Sequence, residues 1–174
     1  MSKNNLRILA IGFSEEESSL LRSELVDIQL LKNFCNLADI ESALNECDWD
    51  VVLSNHDRLL FNSIDAFNLL IENKKDIPFI IYSNESDDNT VISALRYGVN
   101  DYVRKGNILR LAYAIEKEVK NAEVRRERNR TQNQIFRLAY YDELTGLPKW
   151  NLFFEESSGF LAESAKSMLA RHFI

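Results

Sequence analysis

The sequence predicts an α/β fold built on a five-stranded parallel sheet, and three observations carry that prediction. Short aliphatic runs alternate with segments of helical spacing through the first two thirds of the chain. Several of those runs are apolar on both faces, the form of strands covered by helices on either side. The stretches between them are long enough for helical crossovers, which join parallel neighbours with right-handed connections.

Leu6-Arg7-Ile8-Leu9-Ala10-Ile11, closed by Gly12, is the first strand. A helix over 15–27 follows, with Leu20, Leu21 and Leu25 as its apolar stripe. Ser14 precedes three glutamates, which suits an N-cap at the positive end of a helix dipole. A weaker strand is expected at 28–31 and a helix at 37–47, through Ile40, Ala43 and Leu44. Val51-Val52-Leu53 is apolar on both faces and should be the central strand. The helix at 64–74 sets Phe67, Leu70 and Ile71 on one side. Strand four, 78–83, opens on Pro78, where a proline is tolerated. A helix at 88–97 closes on Gly98, a natural C-cap. Residues 101–104 form a fifth strand, and a long helix begins near Ile108. Strands this short suit a flavodoxin-like order of 2-1-3-4-5, whose functional crevice lies beyond the carboxyl ends of the strands. Those ends are Gly12-Phe13, Asn55, Ser83 and Lys105.

At 174 residues the chain holds one good-sized domain, or a domain and an extension. A hydrophobic fraction of 45% and a charged fraction of 28% are ordinary for a water-soluble globular protein. The formal charge of −6 argues against nonspecific nucleic-acid binding, which needs a basic surface. No apolar run approaches the length of a membrane span, and the first residues are no signal peptide. The expectation is a cytoplasmic protein with no membrane and no nucleic-acid partner. Cys35 and Cys47 do not form a CxxC pair and are expected as buried or half-buried free thiols.

Residues 108–140 contain neither proline nor glycine. A heptad trace runs Ile115, Ala122, Asn129, Phe136, apolar at its ends and polar in the middle. An adjustable coiled coil and a solvated linker helix both fit that pattern. The basic stretch 125–130 reads as a solvated helix face.

The residues at the strand ends resemble those of bacterial two-component receiver domains, over about the first 105 residues. Lys105 matches the receiver lysine that contacts the phosphoryl group, Ser83 the Ser/Thr that hydrogen-bonds it, and Tyr102 the switch aromatic on the fifth strand. The resemblance also implies two acidic residues after strand one and an acceptor aspartate after strand three, which together hold Mg²⁺. Those positions are Gly12, Phe13 and Asn55. An amide has no anionic oxygen for phosphoryl transfer, and neither Gly12 nor Phe13 can ligate a hard cation. The Mg²⁺ site is therefore expected to be lost, with no cofactor in its place. Asp57 is expected to point away from the crevice, Glu15, Glu16 and Glu17 to serve the helix N-terminus, and His56 to be an ordinary loop histidine. Lys105 is expected to hydrogen-bond the Asn55 amide oxygen.

A second resemblance is local. Asp142-Glu143-Leu144-Thr145-Gly146-Leu147-Pro148 is similar to the start of GGDEF domains, the catalytic module of diguanylate cyclases. Asp142, Leu144, Thr145, Gly146, Leu147 and Pro148 match; Lys149 and Trp150 stand where that family carries Asn-Arg. No Gly-Gly-Asp/Glu-Glu-Phe run occurs, so this chain is not expected to be an enzyme. It is expected as the input half of a longer protein or as a natural truncation.

The organisation expected is a degenerate receiver at 1–107, a signalling helix at 108–140 and a truncated GGDEF start at 141–174, with a helix over 151–171 and a strand from 172. The implied function is a receiver-like regulatory module of cyclic-di-GMP signalling, independent of phosphorylation. It would act by controlling dimerisation through the 88–120 face and the helix that follows. A stand-alone docking protein with a signalling partner and a still-phosphorylated response regulator are the alternatives.

Overall fold

The computed structural model of the protein describes residues 5–25, 27–57, 62–84 and 87–150. The expected helix over 151–171 and the strand from 172 lie outside the described residues. Five strands and five helices alternate: β1 (Leu6–Ile11), α1 (Glu15–Glu24), β2 (Ile28–Phe34), α2 (Leu37–Glu46), β3 (Val51–Ser54), α3 (Ser63–Glu72), β4 (Phe79–Ser83), α4 (Asp88–Tyr97), β5 (Asp101–Arg104) and α5 (Ile108–Tyr140). The strands form one parallel sheet in the order β2-β1-β3-β4-β5, as the alternation predicts. The chain divides into two compact units, with the boundary after Val124.

Strand periodicity builds the first unit. Ile8, Ala10, Val51, Leu53, Ile80 and Tyr82 face one way and pack with Leu21 of α1 and Leu111, Ala114 and Ile115 of α5. Leu9, Ile11, Val52, Phe79 and Ile81 face the other way, against Ile40, Phe67 and Ala94 from α2, α3 and α4. Residues at i and i+2 share a face and neighbours alternate, so a strand apolar at every position feeds two cores.

Several local expectations change. β2 runs three residues beyond 31, because Lys32, Asn33 and Phe34 continue the ladder with Leu9, Ala10 and Ile11. α1 ends at Glu24, three residues before the expected end at 27, with Leu25 extended. Leu20 and Ile71 are exposed, because the buried stripes of α1 and α3 run through Leu21 and through Phe67 and Leu70 instead. Cys35 is exposed rather than buried, while Cys47 is half-buried. Ile115 and Ala122, assigned to a coiled-coil seam, are buried in the first unit. Ile115 lies in the core beside the sheet, so that part of the stripe serves the chain's own fold.

In the second unit, α5 ends at Tyr140 and a tight turn follows. Tyr141 and Pro148 form an antiparallel bridge, closed by Asp142 N–H to Leu147 O at 2.8 Å and Lys149 N–H to Tyr140 O at 2.7 Å. Among the described residues no helix is long and apolar enough to cross a membrane.

Candidate functional site

The carboxyl ends of β1, β3, β4 and β5 lie side by side, and the ladder continues one residue past β3 and β5. Asn55 N–H donates to Ile11 O at 2.9 Å, and Lys105 N–H to Ser83 O at 2.9 Å. Gly12 (φ +74°) turns the chain out of β1; a Cβ there would also meet the Asn55 carbonyl oxygen at 3.3 Å. Glycine avoids both the strained backbone and the contact.

Asn55 is 2% exposed, and its amide is fully engaged. Nδ2 donates to Gly12 O at 3.1 Å and to Glu17 Oε2 at 3.4 Å, while Oδ1 accepts Asp57 N–H at 3.1 Å. An aspartate here would press a carboxylate against a carbonyl oxygen and a second carboxylate. The amide fits because two of its neighbours are acceptors.

Phe13 turns into the core, where its ring stacks on Tyr82 with centroids 6.4 Å apart. Asn33 fixes its backbone: Phe13 N–H donates to Oδ1 at 3.2 Å, and Nδ2 donates to Phe13 O at 2.6 Å. The Lys105 ammonium lies 5.8 Å from the Phe13 ring centroid, within cation–π range.

Lys105 corrects an expectation. Its ammonium pairs with Glu17 Oε1 at 2.6 Å and Asp57 Oδ2 at 2.9 Å, and not with the Asn55 amide oxygen, which Asp57 N–H takes. Two carboxylates outcompete one neutral amide for an ammonium. Asp57 likewise does not point away. The Asn55 Oδ1 bond draws its backbone back over the strand ends, and its carboxylate enters the crevice. There Oδ1 accepts the Ser83 hydroxyl and the Asn84 N–H (2.8 Å), and Oδ2 accepts Asn84 Nδ2 (3.0 Å) beside Lys105. Glu17 serves the helix N-terminus as expected, in a capping box with Ser14, and reaches the crevice as well. Sequence reasoning therefore missed Asp57 and Glu17 as site residues. The Ser14-x-x-Glu17 capping box was the signal for the second, since it pins that carboxylate at the strand ends. No comparable signal marks Asp57.

Electrostatics follow the geometry. Burial disfavours each charged carboxylate, but the bonds from Lys105 and Ser14 to Glu17, and from Ser83, Lys105 and Asn84 to Asp57, outweigh it and lower both pKa values. Burial also works against the charged form of Lys105, yet Glu17 and Asp57 overcome it and raise its pKa. The described site is a triad of two anions bridged by one cation, which leaves one negative charge in excess.

These groups do not fit a divalent metal. Gly12 offers no side chain, the Phe13 ring lies in the core, and both carboxylates already share the Lys105 ammonium. Among the described residues no group of three or more His, Cys, Asp and Glu is arranged to hold an ion.

Tyr102 is half-buried on β5 and, with His56, Thr90 and Tyr97, lines a cavity of about 360 Å³ beside α4. His56 Nδ1 lies 3.2 Å from the Ser63 hydroxyl, which also accepts from Ser54 at 2.8 Å. In the second unit, Asp142 Oδ1 accepts Leu144 N–H (3.2 Å), Thr145 N–H (2.9 Å) and the Thr145 hydroxyl (2.8 Å). Those bonds, the Thr145 N–H first, lower its pKa. Gly146 takes the left-handed conformation, φ +67°, that completes the turn. Leu144 and Leu147 are exposed on it.

No protein-family model matches this sequence, and no curated protein does. Solved structures match the fold. The signal receiver domain of an HD domain-containing protein from Pseudomonas fluorescens Pf-5 superposes with a TM-score of 0.63 at 16% identity, over 74% of this chain and 96% of that one. The signal receiver domain of a LuxO repressor protein from Vibrio parahaemolyticus gives 0.60 at 15% identity, over 70% and 95%. The beryllofluoride-activated receiver-domain dimer of NtrC4 gives 0.58 at 16% identity, over 67% and 98%. The sheet order, the five alternating helices and these neighbours establish that the chain carries a receiver-domain, flavodoxin-like fold.

Proposed function

We propose that this protein is a receiver-like regulatory module that signals without phosphorylation at the usual position. The observation that carries the reading is the environment of Asn55, a buried amide whose donor and acceptor both have protein partners. It has no oxygen able to attack phosphorus, and no described cation site would steady the transferring group. Gly12, Phe13 and Asn55 are then the degenerate acidic-pair and acceptor positions, and Ser83, Tyr102 and Lys105 the retained ones.

Output would pass along α5 to a GGDEF-type module opened by Asp142, Leu144, Thr145, Gly146, Leu147 and Pro148, through dimerisation. The exposed apolar residues Ile92, Leu95 and Tyr97 on α4 and Leu109 and Tyr113 on α5 support a self-association face within 88–120. The NtrC4 receiver-domain neighbour is itself a dimer.

A second reading keeps the chain as a phosphorylated response regulator with Asp57 as acceptor. It is favoured by that carboxylate's place beside Ser83 and Lys105. One experiment separates the two: incubation with acetyl phosphate and Mg²⁺, followed by intact-mass measurement. The first reading expects no added phosphoryl group. A stoichiometric gain mapped to Asp57 would replace it with the second.

A further inference from the structure

Four donors converge above the ends of β4 and β5. They are the Ser83 hydroxyl, the Asn84 backbone N–H, the Asn84 side-chain amide and the Lys105 ammonium. A cluster of N–H and O–H groups with one fixed positive charge is the chemistry of an oxyanion site. Its occupant here is a side chain of the same protein. Asp57 reaches it because Asn55 Oδ1 holds the Asp57 N–H, a turn two residues long that aims the carboxylate back across the sheet ends. The amide at 55 therefore has a structural task of its own: it folds the next acid into the crevice.

We infer that Asp57 is an internal ligand of this crevice: its carboxylate takes the four donors from within and keeps an external phosphate-class oxyanion out. The inference rests on the reading of the chain as a phosphorylation-independent receiver-like module. A tethered carboxylate needs no translational entropy to bind, so it excludes free anions at ordinary concentrations. Glu17 also pairs with Lys105, at 2.6 Å, which gives the ammonium a second anchor when Asp57 is removed.

The test uses the full ¹⁵N-labelled chain titrated with inorganic phosphate. In the wild-type protein the amide signals of Ser83, Asn84 and Lys105 are expected to stay in place. Asp57→Ala should show a saturable shift at those three amides, with affinity about tenfold or more above the wild type. Adding Lys105→Ala to that variant should abolish the shift. Equal responses in the wild type and Asp57→Ala overturn the inference, as does a folded Asp57→Ala chain that ignores phosphate. A near-isosteric variant, Asp57→Asn, guards against misfolding. It should speed hydrogen exchange at Asn84, whose N–H the Asp57 carboxylate accepts, by about tenfold, leaving β1 amides and Lys105, whose N–H is held by Ser83 O, unchanged. Unchanged exchange at Asn84 also overturns it. Phosphoryl gain by the wild-type chain from acetyl phosphate is a separate result, and it would remove the underlying reading instead.

Discussion

Asn55 donates to a carbonyl oxygen and a carboxylate, so a negative charge on this one side chain would add to the excess already carried by Glu17 and Asp57 over Lys105. Asn55→Asp should cost about 1–3 kcal/mol in urea unfolding near neutral pH, from a lost buried donor and a new repulsion with Glu17. A variant as stable as the wild type would show that the amide's contacts contribute nothing. The triad also sets a pH profile. Glu17 and Asp57 have lowered pKa values, so the stability they contribute is complete above the ordinary carboxylate range and is lost as pH falls through their folded values. Lys105 has a raised pKa, so its contribution is complete below the ordinary lysine value and is lost as pH rises through the folded one. Stability should form a plateau between about pH 5 and pH 10 and fall on both sides. In Lys105→Met the alkaline fall should shrink, and chemical denaturation across pH measures it.

At the scale of elements, α5 divides its residues by position. Leu111, Ala114, Ile115, Val119 and Ala122 are buried, whereas Val124, Ile135, Phe136 and Leu138 are exposed. Ile115→Ala should cost about 2–5 kcal/mol in unfolding, because it opens a cavity in a packed core. Phe136→Ala should change the unfolding of the first unit by less than about 0.5 kcal/mol. Comparable losses from both would mean that the late part of α5 belongs to the same cooperative core. α1 shows a different economy of parts. Its capping box satisfies the helix N-terminus and delivers Glu17 to Lys105 with the same carboxylate. The βα alternation was legible because each strand and helix carries its own period. The ends of α1 and β2 were less so, since ladder partners rather than local pattern decide where a strand stops.

For the whole molecule, the proposed self-association is a prediction about assembly. Leu109 is 81% exposed and Tyr113 62%, on the same element as the buried residues of α5. Analytical ultracentrifugation of the full chain should give a dimer, and Leu109→Glu with Tyr113→Glu a monomer of unchanged fold. A wild-type monomer at high concentration would remove the dimerisation mechanism and favour a docking protein.

What the sequence determined by itself was the sheet, its order and the list of residues at its carboxyl ends. Apolar periodicity, caps and connection lengths are local properties, and right-handed crossovers leave few ways to assemble them. What only the tertiary structure decided was which of those residues meet. Asp57 and Glu17 are 40 positions apart, yet both close on Lys105. A side-chain amide bends one loop and a capping box aims one helix end. The capping-box spacing marks where the Glu17 carboxylate sits, but its pairing with Lys105 and the return of Asp57 are settled by whichever charged groups the fold brings within reach.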